Sequence, residues 1–143
     1  MSQDPTQNRP GYLVKRVQQL LRQACDEGLR PVELSMSQYA VLRALSDHPD
    51  IPAAELARRC FVTRQSLRDV LNGLRKADLV SVAEQATTGR ARPVALTAEG
   101  RKRLRAADEV VTETETRMLT GFSAGEQDRL SALLARCADN LSA

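Results

Sequence analysis

The chain has 143 residues, 42% apolar and 27% charged, the composition of one soluble globular domain with short extensions. No apolar run nears the roughly 18 residues of a membrane span, and the first ten residues lack the apolar core of a secretory signal. A single histidine (His48) and three dispersed cysteines (Cys25, Cys60, Cys137) argue against a zinc site, a disulfide framework and histidine-based catalysis, and fit a reducing cytoplasm; no metal, cofactor or enzymatic activity is expected.

Residues 1–10 are polar, with Pro5 and Pro10, and read as a flexible arm. A first helix is expected from Tyr12 to Glu27, with Leu13, Val14, Val17, Leu20, Leu21 and Ala24 on one stripe and Gly28 as its stop. Ser35 and Gln38 form a capping box, with Leu34 and Tyr39 placed to staple across it. The second helix continues through Leu45 and ends before Pro49. His48 falls in the following loop, where a solvated histidine is the simplest reading.

A short helix over Pro52–Cys60 leads through Phe61-Val62 to Thr63, a natural N-cap for a helix from Arg64 to Ala77. Its Leu67, Val70, Leu71 and Leu74 recur at helical spacing. Two helices with so brief a link form a helix-turn-helix candidate over 53–77. Leu79–Val82 and Pro93–Leu96 read as short strands around a basic, turn-rich segment, a wing over 79–96. Thr97 caps a long helix reaching Thr120. Its Leu104, Ala107, Val111, Thr114 and Met118 make a heptad-like seam that needs another helix beside it. Ser123 and Glu126 form a second capping box, and the last helix aligns Leu130, Leu133, Leu134, Cys137 and Leu141.

Charge is unevenly spread. Residues 1–57 carry net −1, residues 58–105 carry +8 and residues 106–143 carry −4. A basic block centred on the helix-turn-helix and wing is the footprint of a polyanion-binding surface. With the leucine stripe turned to the core, Gln65, Arg68, Asp69, Asn72 and Lys76 project outward, and Thr63, Arg64 and Ser66 flank the start of that helix. Gln can read adenine and Arg guanine through paired hydrogen bonds in a major groove. Arg90 and Arg92, beside Gly89 in the wing, suit a narrow minor groove. Arg58, Arg59, Arg64 and Arg75 read as phosphate contacts or solvated charges rather than base readers.

Several segments, in order and at matching spacing, resemble the MarR family of winged helix-turn-helix transcription regulators. They are Leu34–Leu42, Leu56-Ala57, Val62–Leu67, Leu79-Val80, and Arg90 followed by Val94–Gly100; the resemblance as a whole covers the chain from about Gly11 to Leu141. It departs at Thr88, where the family's wing has an Asp bracing the arginine, at Asp78, where Gly is frequent, and at Val82, where Arg is frequent. The resemblance implies a mainly α fold. A winged domain over 33–97 would sit on a helical dimerisation region, 11–32 with 98–143, drawn from both chain ends. It implies a homodimer on double-stranded DNA, acting as a repressor relieved by a small aromatic or phenolic effector. Thr63, Arg64, Gln65, Ser66, Arg68, Asp69, Asn72, Arg90 and Arg92 are the expected DNA contacts. Arg16 and Tyr39 are the candidates for the effector cleft, against the simpler reading of a solvated charge and a core residue. The competing readings are a cysteine-based redox regulator and a winged-helix module that binds protein.

Overall fold

In the computed structural model, residues 5–83 and 93–142 are described. After a 3-10 turn at Pro5–Asn8 come helices α1 (Pro10–Leu29), α2 (Met36–Asp47), α3 (Ala53–Arg59) and α4 (Arg64–Lys76). Strands β1 (Val80–Val82) and β2 (Val94–Leu96) follow, then helices α5 (Ala98–Met118) and α6 (Ala124–Ser142). The winged helix-turn-helix expected from the sequence is present, with ends within a few residues of those anticipated.

The caps explain most of the boundaries. Ser35 Oγ accepts the Gln38 amide at 3.1 Å while Gln38 Oε1 accepts the Ser35 amide at 2.9 Å. Thr63 and Thr97 accept from the Ser66 and Gly100 amides, both at 3.0 Å. Ser123 and Glu126 close the reciprocal box before α6. Each satisfies amide donors that a helix start leaves open. Pro52 is the N-cap of α3 rather than its first residue; its extended ψ keeps it outside the helix.

One boundary differs for a physical reason. Gly28 does not stop α1, which runs on to Leu29. A Cβ at Gly28 would lie 2.7 Å from Val110 Cγ1, so this glycine permits close approach of α1 and α5. The chain reverses after it, through a 3-10 turn at Arg30–Val32 and Glu33 at φ +60°.

The core gathers Val41, Leu42 and Leu45 of α2, Leu56 of α3, Leu67 and Leu74 of α4, Leu79, Val80, and Leu104 and Ala107 of α5, and extends to Cys25 and Leu29 at the end of α1. Antiparallel β1 and β2 pair Val80 with Leu96 and Val82 with Val94. The N-terminal half of the α5 seam is covered within the chain: Leu104 and Ala107 are buried, Val111 and Thr114 half-buried, and Met118 exposed. Coverage stops at the chain ends. α6 buries none of its residues, and Val14, Val17 and Leu20 of α1 are exposed along with Leu133, Leu134 and Leu141 of α6.

Candidate nucleic-acid interface

Helix α4 rests on α2, α3 and β1 through Leu67 and Leu74, which are buried, and Val70 and Leu71, which are half-buried. The opposite face is solvent. Thr63, Arg64, Gln65, Ser66, Arg68, Asp69 and Asn72 are all exposed, as the periodicity predicted. Their local bonds organise the N-terminal turn. Thr63 donates its hydroxyl to Ser66 Oγ at 3.0 Å, and Gln65 Nε2 donates to Asp69 Oδ1 at 3.3 Å. Gln65 is thereby oriented along the helix face, with its amide oxygen and second N–H still available.

Among the described residues the surrounding charge is mostly unpaired. Of Arg58, Arg59, Arg64, Arg68 and Arg75, only Arg59 has an ion-pair partner among the described residues, Glu55 at 3.9 Å. Arg68, Asn72 and Arg75 line a shallow groove between α4 and the strand residues Val80, Val82 and Val94. A capped helix end, a polar outward face and free guanidinium groups form a surface that attracts phosphate and can hydrogen-bond to base edges.

Behind this face, α2 is tied to α5. Asp108 Oδ1 accepts the Tyr39 hydroxyl at 2.7 Å and Oδ2 accepts Arg43 Nη1 at 2.6 Å. Arg43 Nη2 also donates to Asp47 Oδ1 at 2.8 Å. Burial and the bond to Asp108 push the Tyr39 hydroxyl well above its ordinary pKa, so it remains a proton donor. The bond from Arg43 holds Asp47 below the usual carboxylate range.

The family model described as MarR family matches residues 32–91. The HTH-type transcriptional repressor Rv2887 of Mycobacterium tuberculosis is 35% identical over 126 residues, covering 88% of this chain and 91% of that protein. The chain belongs to the MarR family. MarR proteins are DNA-binding transcription regulators and not enzymes. Among solved MarR structures, Rv2887 in complex with salicylic acid matches at TM-score 0.75 and 33% identity, over 96% of this chain and 99% of that one. Rv2887 in complex with DNA matches at 0.74 and 33%, over 90% and 97%. The transcriptional repressor CouR bound to a 23-mer DNA duplex matches at 0.85 and 25%, over 96% and 98%.

Set on the MarR fold, the remaining expected residues fall into place unevenly. Asp78, where Gly is frequent, takes φ +59°, and its carbonyl accepts the Thr97 hydroxyl at 2.6 Å; the left-handed turn is kept with an aspartate. Val82 is half-buried at the hairpin base and offers no charge there. Arg90, Arg92 and Thr88 lie outside the described residues. The expected effector candidates, Arg16 and Tyr39, do not share the cleft seen between the first and fifth helices. An open apolar cleft between α1 and α5 is lined by Val17, Leu20, Leu21, Thr114, Arg117 and Met118, among others, with neither Arg16 nor Tyr39 in its wall. Arg16 is exposed, and the Tyr39 hydroxyl is engaged by Asp108. The cleft's guanidinium belongs to Arg117, which the sequence reading overlooked. Arg117 ends α5 near Met118, and helical spacing from Thr114 would have placed it beside the cleft.

Burial works against a redox role for two of the three cysteines. Cys25 is fully buried and Cys60 half-buried, and burial raises both thiols above their ordinary pKa. A thiol held protonated is a poor nucleophile toward peroxide, and that of Cys25 is also shut off from solvent. Exposed Cys137 is on α6, in a different part of the fold from the other two. His48 is exposed at the end of α2. No group of three or more His, Cys, Asp or Glu suited to a metal occurs among the described residues, and no described helix is long and apolar enough to cross a membrane.

Proposed function

We propose that the chain is a transcriptional repressor that grips a pseudo-palindromic operator as a homodimer, with α4 in the major groove, and releases it on binding a small aromatic acid. The observation that carries this reading is the outward face of α4. Seven polar or charged residues, Thr63, Arg64, Gln65, Ser66, Arg68, Asp69 and Asn72, stand exposed on a capped helix in a helix-turn-helix. Similarity to Rv2887 and CouR, each solved with DNA, supports it. In this reading Gln65 and Arg68 select bases, while Arg90 and Arg92 of the wing enter the minor groove.

The uncovered apolar residues of α1 and α6 support a second copy as their partner. An isologous dimer presents two α4 helices to half-sites about 10 base pairs apart or a multiple of that. Similarity to the Rv2887–salicylic acid complex supports a carboxylate-bearing aromatic effector. The α1–α5 cleft offers apolar walls for a ring and Arg117 for its carboxylate.

Selection from a random duplex pool, followed by binding to single-base variants, tests the reading. Gln65→Ala and Arg68→Ala should reorder the preferred sites, since a paired contact is worth about 1–3 kcal/mol of discrimination. Arg90→Ala should weaken all sites alike. Affinity should fall steeply with salt, and deleting residues 121–143 should give a monomer or insoluble protein. A full-length protein that sediments as a monomer at micromolar concentration, or selects no sequence, refutes it.

A further inference from the structure

The turn between α3 and α4 holds a residue that its own geometry disfavours. Phe61 takes φ +55°, the left-handed region that glycine or asparagine enters readily and a bulky side chain does not. The turn needs that conformation. The Phe61 amide donates to the Arg58 carbonyl at 3.2 Å and the Val62 amide to the Ala57 carbonyl at 3.0 Å. These bonds end α3 and bring Thr63 to the N-cap of α4.

The Phe61 side chain regains nothing from the fold in return. It is 95% exposed, more so than the other large apolar residues left at the surface. A strained backbone and a fully hydrated aromatic ring are each unfavourable. A local rule broken without an internal compensation points to a contact made only in a complex.

The ring's neighbours identify the partner. Phe61 lies two residues before the α4 cap, between exposed Arg58 and Arg59 on one side and exposed Arg64 on the other. A protein surface or a second copy docking on this ring would have to cover those cations. The apolar residues left open for a second copy are instead on α1 and α6. A DNA strand edge satisfies both chemistries at once, with phosphates for the guanidinium groups and deoxyribose carbons for the ring. We infer that Phe61 packs against the sugar edge of the strand flanking the major groove. It adds affinity without reading bases and shields the adjacent arginine–phosphate contacts from water. This rests on the DNA-binding reading proposed above.

Full-length Phe61→Asn and Phe61→Tyr test it, with the selected operator and its single-base variants as probes. Asparagine keeps the left-handed turn, so Phe61→Asn should melt at or above the wild-type temperature. It should still bind the operator about tenfold more weakly, the loss expected when a large part of a ring's apolar surface stays wet. The ranking of variant sites and the slope of affinity against salt should not change, because no base contact and no charge is removed. Phe61→Tyr, which keeps the ring, should bind like wild type. Undiminished affinity in Phe61→Asn, a reordered ranking, or a lowered melting temperature accompanying the loss would each overturn the assignment. Weakened self-association with DNA affinity intact would give the ring to a second copy instead. A wild-type protein that selects no DNA would sink the underlying reading itself, a result separate from these.

Discussion

Removing the Asp108 carboxylate should cost stability through one half-buried tyrosine more than through the ion pair that accompanies it. Asp108 accepts two bonds, from Tyr39 at 2.7 Å and from Arg43 at 2.6 Å. Hydrogen bonds to a charged acceptor contribute about 1.5–3 kcal/mol where solvent is excluded. The Arg43 and Asp108 side chains are 37% and 32% exposed, so solvent screening reduces their pairing to about 1 kcal/mol or less. Arg43 also keeps Asp47 as a partner at 2.8 Å. The Tyr39 hydroxyl has no such fallback in the hydrogen bonds it makes, and leaving it half-buried costs about 1–2 kcal/mol. Asp108→Ala should therefore destabilise by about 2–3 kcal/mol, lowering the melting temperature by roughly 6–10 °C for a chain of this size. A cycle of Tyr39→Phe, Asp108→Ala and the double variant, unfolded in urea at one fixed protein concentration, isolates the pair. Its coupling energy should be about 1 kcal/mol. Single-variant costs that simply add, within about 0.3 kcal/mol, would show that the tyrosine does not depend on Asp108 and refute the reasoning.

Two further outcomes follow from packing. Gly100→Ala should be among the most damaging small substitutions, because its Cβ would lie 2.0 Å from the Leu79 carbonyl oxygen and backbone would have to move. A loss of about 3 kcal/mol in urea unfolding is expected, against a milder effect for Gly28→Ala, whose clash is with the end of the Val110 side chain; equal costs would contradict this. Cys25, buried with its thiol pKa raised, should resist iodoacetamide at neutral pH in the native protein and react once unfolded. Rapid native labelling located by mass spectrometry would restore the redox reading.

What could be read from the sequence was what is encoded locally. Ser35, Thr63, Thr97 and Ser123 all cap the helices assigned to them, because a cap is decided within three residues. The outward face of α4 followed from leucine spacing alone. The failures share a different cause. Gly28 looked like a stop because the same residue type serves a helix end and a close helix crossing, and only the presence of Val110 distinguishes them. Asp108 sits 65 residues from Arg43 and 69 from Tyr39, and on its own helix it resembles any solvated charge. Phe61 reads as part of a tight link, since nothing about phenylalanine announces a left-handed turn. Arg117 draws no attention in the sequence for the same reason: its place beside the α1–α5 cleft depends on α1, far away in the chain.

These long-range contacts also bear on how release would work under the proposed function. Helix α5 is held to the winged domain by polar contacts at its start and at Asp108, with Leu104 and Ala107 buried in the core between them. At its start, the Thr97 amide donates to the Leu79 carbonyl at 3.1 Å and the Thr97 hydroxyl to the Asp78 carbonyl at 2.6 Å, with Gly100 packed on the Leu79 backbone. Eleven residues later, about 16 Å along the helix, Asp108 fastens it to α2. Between these points the winged domain and α5 must move together. The α1–α5 cleft lies beyond the second fastening, toward Met118, and its lining residues come from α1 and α5 alone. An effector there has no contact with α4, which packs on α2, α3 and β1. Under the proposed function its route to the DNA would be a change in how α5 leaves the dimer, carrying each α4 as a rigid body and altering the distance between the two. Release by this route leaves the base-reading face of α4 intact and spoils only its spacing. An effector that weakens the natural operator should then weaken less, or even favour, a site whose half-sites are moved by one base pair. An effector that weakened every spacing equally would have to act on the α4 surface itself.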